Sequence, residues 1–339
     1  MHLPSGHDPS RRALLRWLPV GTACAALPSW AQGQGAGGEL AAPALSSYRF
    51  IVGFGAGGVP DAAARLIAAT MSERWKLPAI VENKTGVGGT LAAKAVLAAP
   101  ADGSTLLSVS PAHATAPAVF ANPGYDTLRD FAPVTMIGDG PALVVAPKNL
   151  PAANLAEMLA QARSRPGSMS YSSAGVGSSS HFAAALLCQQ AGIEGVNIPY
   201  KSVGEAMTET IAGRVQFHIA PYLSAMGMVR EGRVRALAVT SPRRIAEMPD
   251  VPTTAEAGVP GYEWSFWYGL LASARTPAAV VAQLNNDITG VLRLPQIKKQ
   301  LGAMGVNVSA GTSAEFGKLI EAEVAKYRRI AKAAGMAPL

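Results

Sequence analysis

The stretch Tyr48–Asp61 reads YRFIVGFGAGGVPD and joins an apolar run to a glycine-rich turn and a helical pattern. The run Tyr48–Phe54 predicts a β-strand, and Asp61–Arg74 predicts a helix that Asp61 is placed to cap. Glycine lets backbone N–H groups approach a ligand closely, and the amino end of a helix favours an anion. The stretch therefore predicts a strand-to-helix turn that can hold an anion. A tight turn with no ligand is the alternative.

This first turn is a poor match to the common nucleotide-binding motifs. Gly53, Gly55 and Gly58 fit the spacing G-x-G-x-x-G, which is a weak signal alone. A dinucleotide-binding motif also needs an acidic residue at the end of the next strand. Glu82 is the only candidate, and it lies farther from Gly58 than that motif requires. The turn also lacks the lysine of a P-loop. These features favour a simpler anion over a nucleotide.

A second strand-to-helix turn lies at Tyr171–His181, with the sequence YSSAGVGSSSH. Its small side chains and hydroxyl groups converge on the start of a predicted helix. That arrangement makes a second candidate anion site. A serine-rich capped turn without a ligand is the alternative.

Short apolar strand patterns alternate with helical patterns along the rest of the chain. Strands are also predicted at Ala79–Glu82, Thr105–Ser108, Ala132–Ile137, Ala142–Ala146, Ser170–Ser172, Val196–Ile198, Phe217–Ala220, Arg235–Thr240 and Phe266–Leu271. Helices are predicted at Thr90–Ala98, Asn154–Arg165, Ser178–Gln190, Val203–Gly213 and Leu223–Glu231, and from Pro277, Pro295 and Ser313. This alternation predicts an α/β fold with parallel sheets and helices on both faces. Because such sheets bind ligands at the carboxyl ends of their strands, we expect the two turns to form opposite walls of one cleft.

The beginning of the chain has the pattern of an export signal. Paired arginines precede the apolar stretch Trp17–Leu27, which suits a signal peptide and is too short to span a bilayer. The arginine pair resembles a twin-arginine signal, and Ala31 ends a small-residue cleavage motif. We expect residues 1–31 to be removed and residues 32–46 to form a flexible leader. The mature protein is then expected in the periplasm.

Composition and charge narrow the function classes. Charged residues make up 15% of the 339 residues and hydrophobic residues 49%, which excludes global disorder. Residues 1–31 carry +2 of the net charge of +7, so the rest carries a mildly basic +5. The chain contains no Lys/Arg-rich run, so we do not expect a nucleic-acid partner. Once the signal peptide and its Cys24 are removed, only Cys188 remains, and we expect it to be a buried hydrophobe rather than part of a disulfide or zinc site.

A hydrolase is the main alternative from another class, because serines 178–180 directly precede His181. Adjacent residues on a helix do not face each other as nucleophile and base, and no Gly-x-Ser-x-Gly elbow is present. The three mature histidines, His113, His181 and His218, show no paired metal-ligand spacing. We therefore expect no enzyme activity, no metal and no cofactor. His218 alternates with apolar residues and is expected in the core or at its rim.

Ordered short motifs run from about Tyr48 to the C-terminus. They are Ile51–Phe54, Gly57-Gly58 with Asp61, Val81–Lys84, Gly86–Gly89, Ala99–Gly103, Asp130–Val134, Ser173–Gly175, Ser179–His181, Pro199–Lys201, Arg235–Thr240, Pro249–Thr253, Glu256–Gly258 and Trp267–Leu271. Each motif is short, but their order and spacing together are specific. The chain in this way resembles the Bordetella uptake gene (Bug) family, the periplasmic receptors of tripartite tricarboxylate transporters.

The resemblance implies a type II periplasmic binding protein, in which two α/β lobes close on a ligand by a hinge motion. Lobe 1 is expected at residues 47–140 and 265–339, and lobe 2 at residues 141–264. Family ligands are usually small carboxylates held by backbone amides. Carried over to this sequence, the ligand contacts are Phe54, Gly55, Ala56, Gly57, Gly58, Asp61, Ser110 and His113 in lobe 1, and Ala174, Gly175, Ser178, Ser179 and His181 in lobe 2.

Departures from the family pattern bear on the ligand. Ala56 stands where proline is common in the first turn. Ala220-Pro221 stands where relatives often have Asp-Asn, so a carboxylate that could recognise an amine is missing and an amino-acid ligand is disfavoured. Trp264 and Phe266 are larger than is usual in the family. If these rings face the cleft, they favour an aromatic or larger apolar acid as the ligand. The alternative is that the rings serve lobe packing or lie on an exposed rim.

The resemblance also implies partners. The bound acid would be delivered to the subunits of a membrane transporter that recognise the closed form. A ligand-sensing role beside a membrane sensor protein uses the same closure and stays open as an alternative. We expect the receptor itself to be a monomer whose ligand is a small organic acid.

Overall fold

The computed structural model describes residues 45–336, so the predicted signal peptide and residues 32–44 of the predicted leader lie outside the described residues. The strands are β1 (Tyr48–Val52), β2 (Ala79–Asn83), β3 (Thr105–Val109), β4 (Phe131–Pro147), β5 (Met169–Ser173), β6 (Gly195–Pro199), β7 (Phe217–Pro221), β8 (Val234–Val239), β9 (Ser265–Ser273) and β10 (Asn307–Val308). The helices are α1 (Val59–Trp75), α2 (Thr90–Ala98), α3 (Pro111–Val119), α4 (Leu155–Ser164), α5 (Ser179–Ala191), α6 (Val203–Ile211), α7 (Tyr222–Arg230), α8 (Ala278–Leu292), α9 (Pro295–Ala303) and α10 (Ser313–Ala333).

The strands pair in the order β2-β1-β3-β9-β4-β7-β5-β6, and β8 and β10 also pair with β4. Pairing is parallel within β2-β1-β3 and within β7-β5-β6. The strands between these two sets are antiparallel: β9 pairs with β3 and β4, and β4 pairs with β7, β8 and β10. The expectation of purely parallel sheets was therefore wrong at the centre. An apolar strand pattern reports burial and carries no information on strand direction.

Strand β4 is a single strand of 17 residues, where two separate strands were expected at Ala132–Ile137 and Ala142–Ala146. Its first part, up to Pro141, pairs with β9. Its second part, from Ala142 onward, pairs with β7 and β8. β4 therefore belongs to both halves of the sheet, and its pairing partners change between Pro141 and Ala142.

Two glycines inside β4 admit another segment of backbone. A Cβ atom on Gly138 would lie 2.3 Å from the carbonyl oxygen of Asn307, and one on Gly140 would lie 2.1 Å from that of Gly305. Real Cβ atoms do not approach carbonyl oxygens so closely. The chain entering β10 can therefore cross β4 only because both positions lack a side chain.

Helix α3, which follows β3, has no counterpart among the predicted helices. Pro111 occupies its first turn, where proline is tolerated, but Pro117 lies inside it and cannot donate a hydrogen bond to the carbonyl of His113. The hydroxyl of Thr127 lies 3.5 Å from that carbonyl oxygen. Eight of the nine residues of α3 are buried. Tertiary packing therefore stabilises a helix that its proline disfavours.

Two bulky rings lie at the start of β9, and one of them, Trp264, packs against helix α10. Trp264 and Phe266 are only 2% and 6% exposed. The ring of Trp264 lies 5.7 Å from that of Tyr327, and the Lys326 ammonium lies 5.1 Å from the Trp264 ring centre, within cation–π range. Packing against α10 accounts for Trp264, and neither ring lines the cleft described below, so they give no support for an aromatic ligand.

No helix among residues 45–336 is both long and apolar enough to cross a membrane.

Candidate functional site

The first turn connects β1 to α1 at the carboxyl end of β1. Helix α1 begins at Val59, two residues before the predicted start, and its N-cap is Gly58. Asp61 therefore does not cap the helix as expected. It sits in the first helical turn with Pro60 before it, and its carboxylate reaches back to accept a hydrogen bond of 2.9 Å from the N–H of Gly57.

Asp61 is the centre of a polar clamp beneath the turn. Its Oδ1 accepts a hydrogen bond of 2.8 Å from the side chain of Asn83, and both carboxylate oxygens lie 3.1 Å from Nε of Arg65. Asn83 also donates to the carbonyl oxygen of Phe54 at 3.0 Å. Burial acts to raise the pKa of Asp61, but hydrogen bonds from Arg65, Gly57 and Asn83 outweigh it and lower that pKa below its ordinary value. The ionised carboxylate thus holds the turn in shape.

Arg65 and Asn83 were not predicted as members of this clamp. Asn83 ends β2, which pairs in parallel with β1 in the register Val52↔Asn83. Its side chain is therefore placed at the same sheet edge as the first turn. Arg65 lies one helical turn after Asp61, at a spacing that brings side chains together. The Arg65 signal was local in the sequence, whereas the Asn83 signal depended on knowing that β2 neighbours β1.

A narrow cleft with a cavity volume of about 10 Å³ lies beside the first turn. Its lining residues are Gly53, Phe54, Gly88, Gly89, Leu107, Ser108, Val109, Ser110, His113 and Tyr125. Three of the predicted site residues, Phe54, Ser110 and His113, therefore meet here, because α3 begins where β3 ends. Gly88, Gly89 and Tyr125 were not predicted. None of these lining residues is a lysine, arginine, aspartate or glutamate.

His113 contributes an uncharged imidazole to this cleft. It is 6% exposed, and its ring stacks on Tyr125 at 6.0 Å and meets Phe131 edge-on at 5.0 Å. Burial lowers the pKa of His113 to about 4, with a hydrogen bond to the Thr127 backbone partly opposing the shift. Its Nε2 atom is buried and has no hydrogen-bond partner among the described residues. At neutral pH the ring offers hydrogen bonding without a formal charge.

Three helices begin in this cleft or in the turn beside it without a side-chain cap. Their N-caps are Gly58 for α1, Gly89 for α2 and Ser110 for α3. Side-chain caps are present on α4, α5, α6 and α10, at Asn154, Ser178, Ser202 and Thr312. The remaining helices α7, α8 and α9 also lack them, but their N-caps Pro221, Pro277 and Leu294 do not line the cleft. Uncapped helix ends present unpaired N–H groups and partial positive charge. The cleft can thus attract an anion with peptide dipoles alone.

The second turn connects β5 to α5, and several of its amides are already engaged. The N–H of Ala174 donates to Oγ of Ser180 at 3.0 Å, and that of Gly177 donates to Nδ1 of His181 at 3.2 Å. Oγ of Ser178 accepts from the backbone N–H of His181 at 3.3 Å and so caps α5. This turn is therefore internally hydrogen-bonded, unlike the helix ends at the first cleft.

The second-turn residues do not line the cleft beside the first turn, but they meet one of its walls. The hydroxyl of Thr115, in α3, lies 2.7 Å from the carbonyl oxygen of Gly177. Among the predicted second-turn contacts, Ala174, Gly175 and Ser178 are partly exposed, whereas Ser179 and His181 are buried. Helix α3 therefore lies beside both turns. Its Ser110 and His113 line the cleft at the first turn, and its Thr115 is hydrogen-bonded to the second turn.

The three described histidines show no catalytic or metal-binding arrangement. His181 uses Nδ1 within its own turn, and burial lowers its pKa to about 4. A serine–histidine contact exists between Ser172 Oγ and His218 Nδ1 at 3.1 Å, but both residues are completely buried and no substrate could reach them. Burial also lowers the pKa of His218 to about 4. The described residues contain no group of three or more His, Cys, Asp or Glu able to hold a metal ion.

A larger surface depression lies elsewhere, between α9, β10 and the start of α10. It is lined by Arg293, Lys298 and Glu315 together with uncharged residues, and by none of the predicted site residues. Glu315 accepts hydrogen bonds from the N–H and hydroxyl of Thr312, so the start of α10 is already capped. This depression therefore lacks the free helix end found at the cleft.

Comparison with known proteins gives the class of this chain. The model of a family described as the tripartite tricarboxylate transporter family receptor matches residues 63–336. Because this match covers most of the chain, the chain belongs to that receptor family.

Solved structures of similar proteins agree with the fold. A protein of R. palustris solved with adipate is 33% identical, with a TM-score of 0.81 over 86% of this chain and 98% of its own. MatC from Rhodopseudomonas palustris, solved with bound malate, is 31% identical, with a TM-score of 0.77 over 84% of this chain and 98% of its own. The periplasmic binding protein BugD is 29% identical, with a TM-score of 0.78 over 86% of this chain and 99% of its own.

These similarities confirm two expectations from the sequence. The fold is the α/β fold of periplasmic binding proteins, and the resemblance to the Bug family is correct. The family consists of periplasmic substrate-binding receptors, and its solved members include proteins holding small carboxylates.

Proposed function

We propose that this chain is an exported receptor that binds a small carboxylate in a cleft between two lobes and delivers it to a tripartite tricarboxylate-type transporter. The observation that carries the proposal is that two uncapped helix ends, at Gly89 and Ser110, open on a cleft lined by no charged side chain, with a third, at Gly58, in the adjoining turn. A carboxylate placed there gains hydrogen bonds from amides already desolvated by the fold. Each can contribute about 1.5–3 kcal/mol when it replaces water well.

The proposed ligand is an aliphatic dicarboxylate. Adipate and malate, found in two similar structures, are both of this class. No basic side chain lines the cleft, so the amides of the first turn and of the α2 and α3 starts supply the contacts. The second turn then closes over the other end of the ligand. The chain acts as a receptor and not as an enzyme.

The proposed lobes are residues 47–140 with 265–339 and residues 141–264. The change of partners along β4, from β9 to β7 and β8 after Pro141, supports this boundary. β9 begins at Ser265, where the chain returns to the first part of the sheet. We further propose that the mature receptor begins at Gln32 in the periplasm and is a monomer.

The test uses the chain from Gln32 and places a competing carboxylate in the cleft. Ser110→Asp puts an acidic N-cap on α3, which favours the helix but repels and displaces a bound acid. Isothermal titration calorimetry with adipate and malate should show binding to the unaltered chain and at least a tenfold loss in Ser110→Asp. Ser202→Asp, the same change at the N-cap of α6, serves as the control and should bind normally.

Two results would contradict the proposal. Equal acid affinity in Ser110→Asp and the unaltered chain would show that the carboxylate does not lie at the start of α3. Absence of binding to any mono-, di- or tricarboxylate, in protein shown by mass spectrometry to be ligand-free, would reject a carboxylate receptor altogether.

A further inference from the structure

A hydroxyl group joins the two ligand turns through helix α3. Thr115 is 1% exposed, and its Oγ1 lies 2.7 Å from the carbonyl oxygen of Gly177 in the second turn. The same Oγ1 lies 2.9 Å from the carbonyl oxygen of Ala112, one turn back in its own helix. A threonine hydroxyl has one proton to donate. Thr115 therefore has two alternative acceptors, one inside α3 and one across the interface.

Gly177 is held from both sides at this contact. Its N–H donates to Nδ1 of His181, and its carbonyl oxygen accepts from Thr115. Its backbone adopts φ +79°, and a Cβ atom there would lie 2.6 Å from a methyl group of Val119. Helix α3 thus approaches the second turn at a distance that only glycine permits.

The contact spans the two halves of the sheet. Helix α3 follows β3, which pairs with β1 and β9. The second turn follows β5, which pairs with β6 and β7. Rotation of one half against the other would separate Thr115 from Gly177. The hydroxyl would then still have Ala112 as its acceptor, so no buried donor would be left unpaired.

We propose that Thr115 is a positioning residue that latches the second turn in the closed arrangement of the receptor. In the closed form its hydroxyl donates to the carbonyl oxygen of Gly177 and fixes the Gly177–Ser178 peptide within the second turn. In the open form the hydroxyl returns to Ala112. Because an acceptor is available in both states, the latch favours closure without a large penalty for opening. This inference rests on the proposed ligand cleft between two lobes.

The test separates the latch from the general stability of the helix. Thr115→Val keeps the shape of the side chain and removes the hydroxyl, and Thr115→Ser restores it. Thr70→Val is the matched control, because the Thr70 hydroxyl donates only to Leu66 within its own helix, at 2.9 Å. Each variant is titrated with adipate and malate by calorimetry, and ligand dissociation is followed by stopped-flow measurement.

A second readout needs no ligand. Cysteines are introduced at Ile80 in β2 and Val196 in β6, the strands at the two ends of the sheet order, where both side chains are 50% exposed. Cys188, the one native cysteine among the described residues, is buried, so it stays unlabelled. Spin labels at the two new sites then report the distance between the halves by pulsed electron resonance.

We expect Thr115→Val to bind the acid about three- to tenfold more weakly, through faster dissociation, and to shift the label distances toward the open form. Thr115→Ser and Thr70→Val should stay within about twofold of the unaltered chain. Unchanged affinity and unchanged distances in Thr115→Val would overturn the latch and leave the proposed function intact. If the unaltered chain bound no acid, the proposed function would fail, and identical distances with and without the hydroxyl would reject the latch separately.

Discussion

Asp61, predicted as a ligand contact, is held by hydrogen bonds to its own turn and to its neighbours. Its carboxylate is almost completely buried, and each of its oxygens already accepts hydrogen bonds from Gly57, Arg65 or Asn83. A ligand carboxylate beside it would also be repelled. We infer that Asp61 shapes the first turn and leaves the neighbouring backbone amides free for the ligand.

Replacing Asp61 by asparagine should therefore destabilise the fold and weaken acid binding together. The amide group turns one acceptor into a donor facing Arg65 and Asn83, so we expect a loss of about 1–3 kcal/mol of unfolding free energy. The ion pair with the half-exposed Arg65 supplies little of this free energy, since solvent screens the arginine charge. Glu231→Gln, which breaks an exposed pair with Arg233, is the control and should cost under about 0.5 kcal/mol.

The same variant has a predictable pH dependence. The folded-state pKa of Asp61 is lowered, so its contribution is present above the unfolded-state pKa and disappears as pH falls through the folded-state pKa. Urea unfolding should show a constant gap between Asp61→Asn and the unaltered chain above about pH 5. The gap should close in more acidic solution. A gap that stays constant down to pH 2 would show that ionisation of Asp61 does not stabilise the turn.

At the scale of single elements, β4 depends on two glycines for the crossing of the chain into β10. Gly140→Ala would place a methyl group 2.1 Å from the carbonyl oxygen of Gly305, and the backbone of β10 cannot yield without losing its pairing with β4. We expect a loss of about 2–4 kcal/mol or failure to fold.

A matched alanine substitution should have the opposite effect. Gly227 lies exposed within α7, and a Cβ atom there meets nothing within 4 Å. Gly227→Ala should stabilise by about 0.5–1 kcal/mol, because alanine is the better helix former. Thermal unfolding of both variants decides the matter. Similar melting temperatures for the two would show that β10 does not constrain β4.

At the scale of the whole molecule, we expect the described histidines to make folding stability depend on pH in acid and not near neutral pH. Burial lowers the pKa of His113, His181 and His218 from 6.5 to about 4. A lowered folded-state pKa means that the unfolded chain takes up protons first as the pH falls. Stability should therefore be complete above pH 6.5 and decline progressively between pH 6.5 and 4.

Two measurements check this prediction. Each histidine can contribute up to about 3 kcal/mol to the decline, so melting temperatures should be flat from pH 8 to 6.5 and fall steeply below. Imidazole NMR signals of the folded protein should show no titration midpoint above pH 5. Acid affinity should stay constant between pH 6 and 8, since no cleft residue changes charge there. A midpoint near 6.5 for any of the three rings would contradict the burial argument.

Much of the fold and part of the site could be predicted from local patterns. The glycine turn after β1 and the serine turn before α5 lie where the sequence placed them, because turn residues and apolar periodicity act over a few neighbours. Cys188 is buried as expected. The order of short motifs from about Tyr48 onward was enough to identify the receptor family, which the family match confirms.

Other features came only from contacts between residues distant in sequence. Strand direction, the joining of two apolar patterns into β4 and the existence of α3 despite Pro117 all depend on packing partners. So do the clamp of Asn83 on Asp61, the packing of Trp264 against α10 and the meeting of Thr115 with Gly177. Residue patterns thus determined most of the strands and helices and the positions of the two glycine- and serine-rich turns. Tertiary structure decided which turns meet, because burial and hydrogen bonding between distant segments cannot be read from either segment alone.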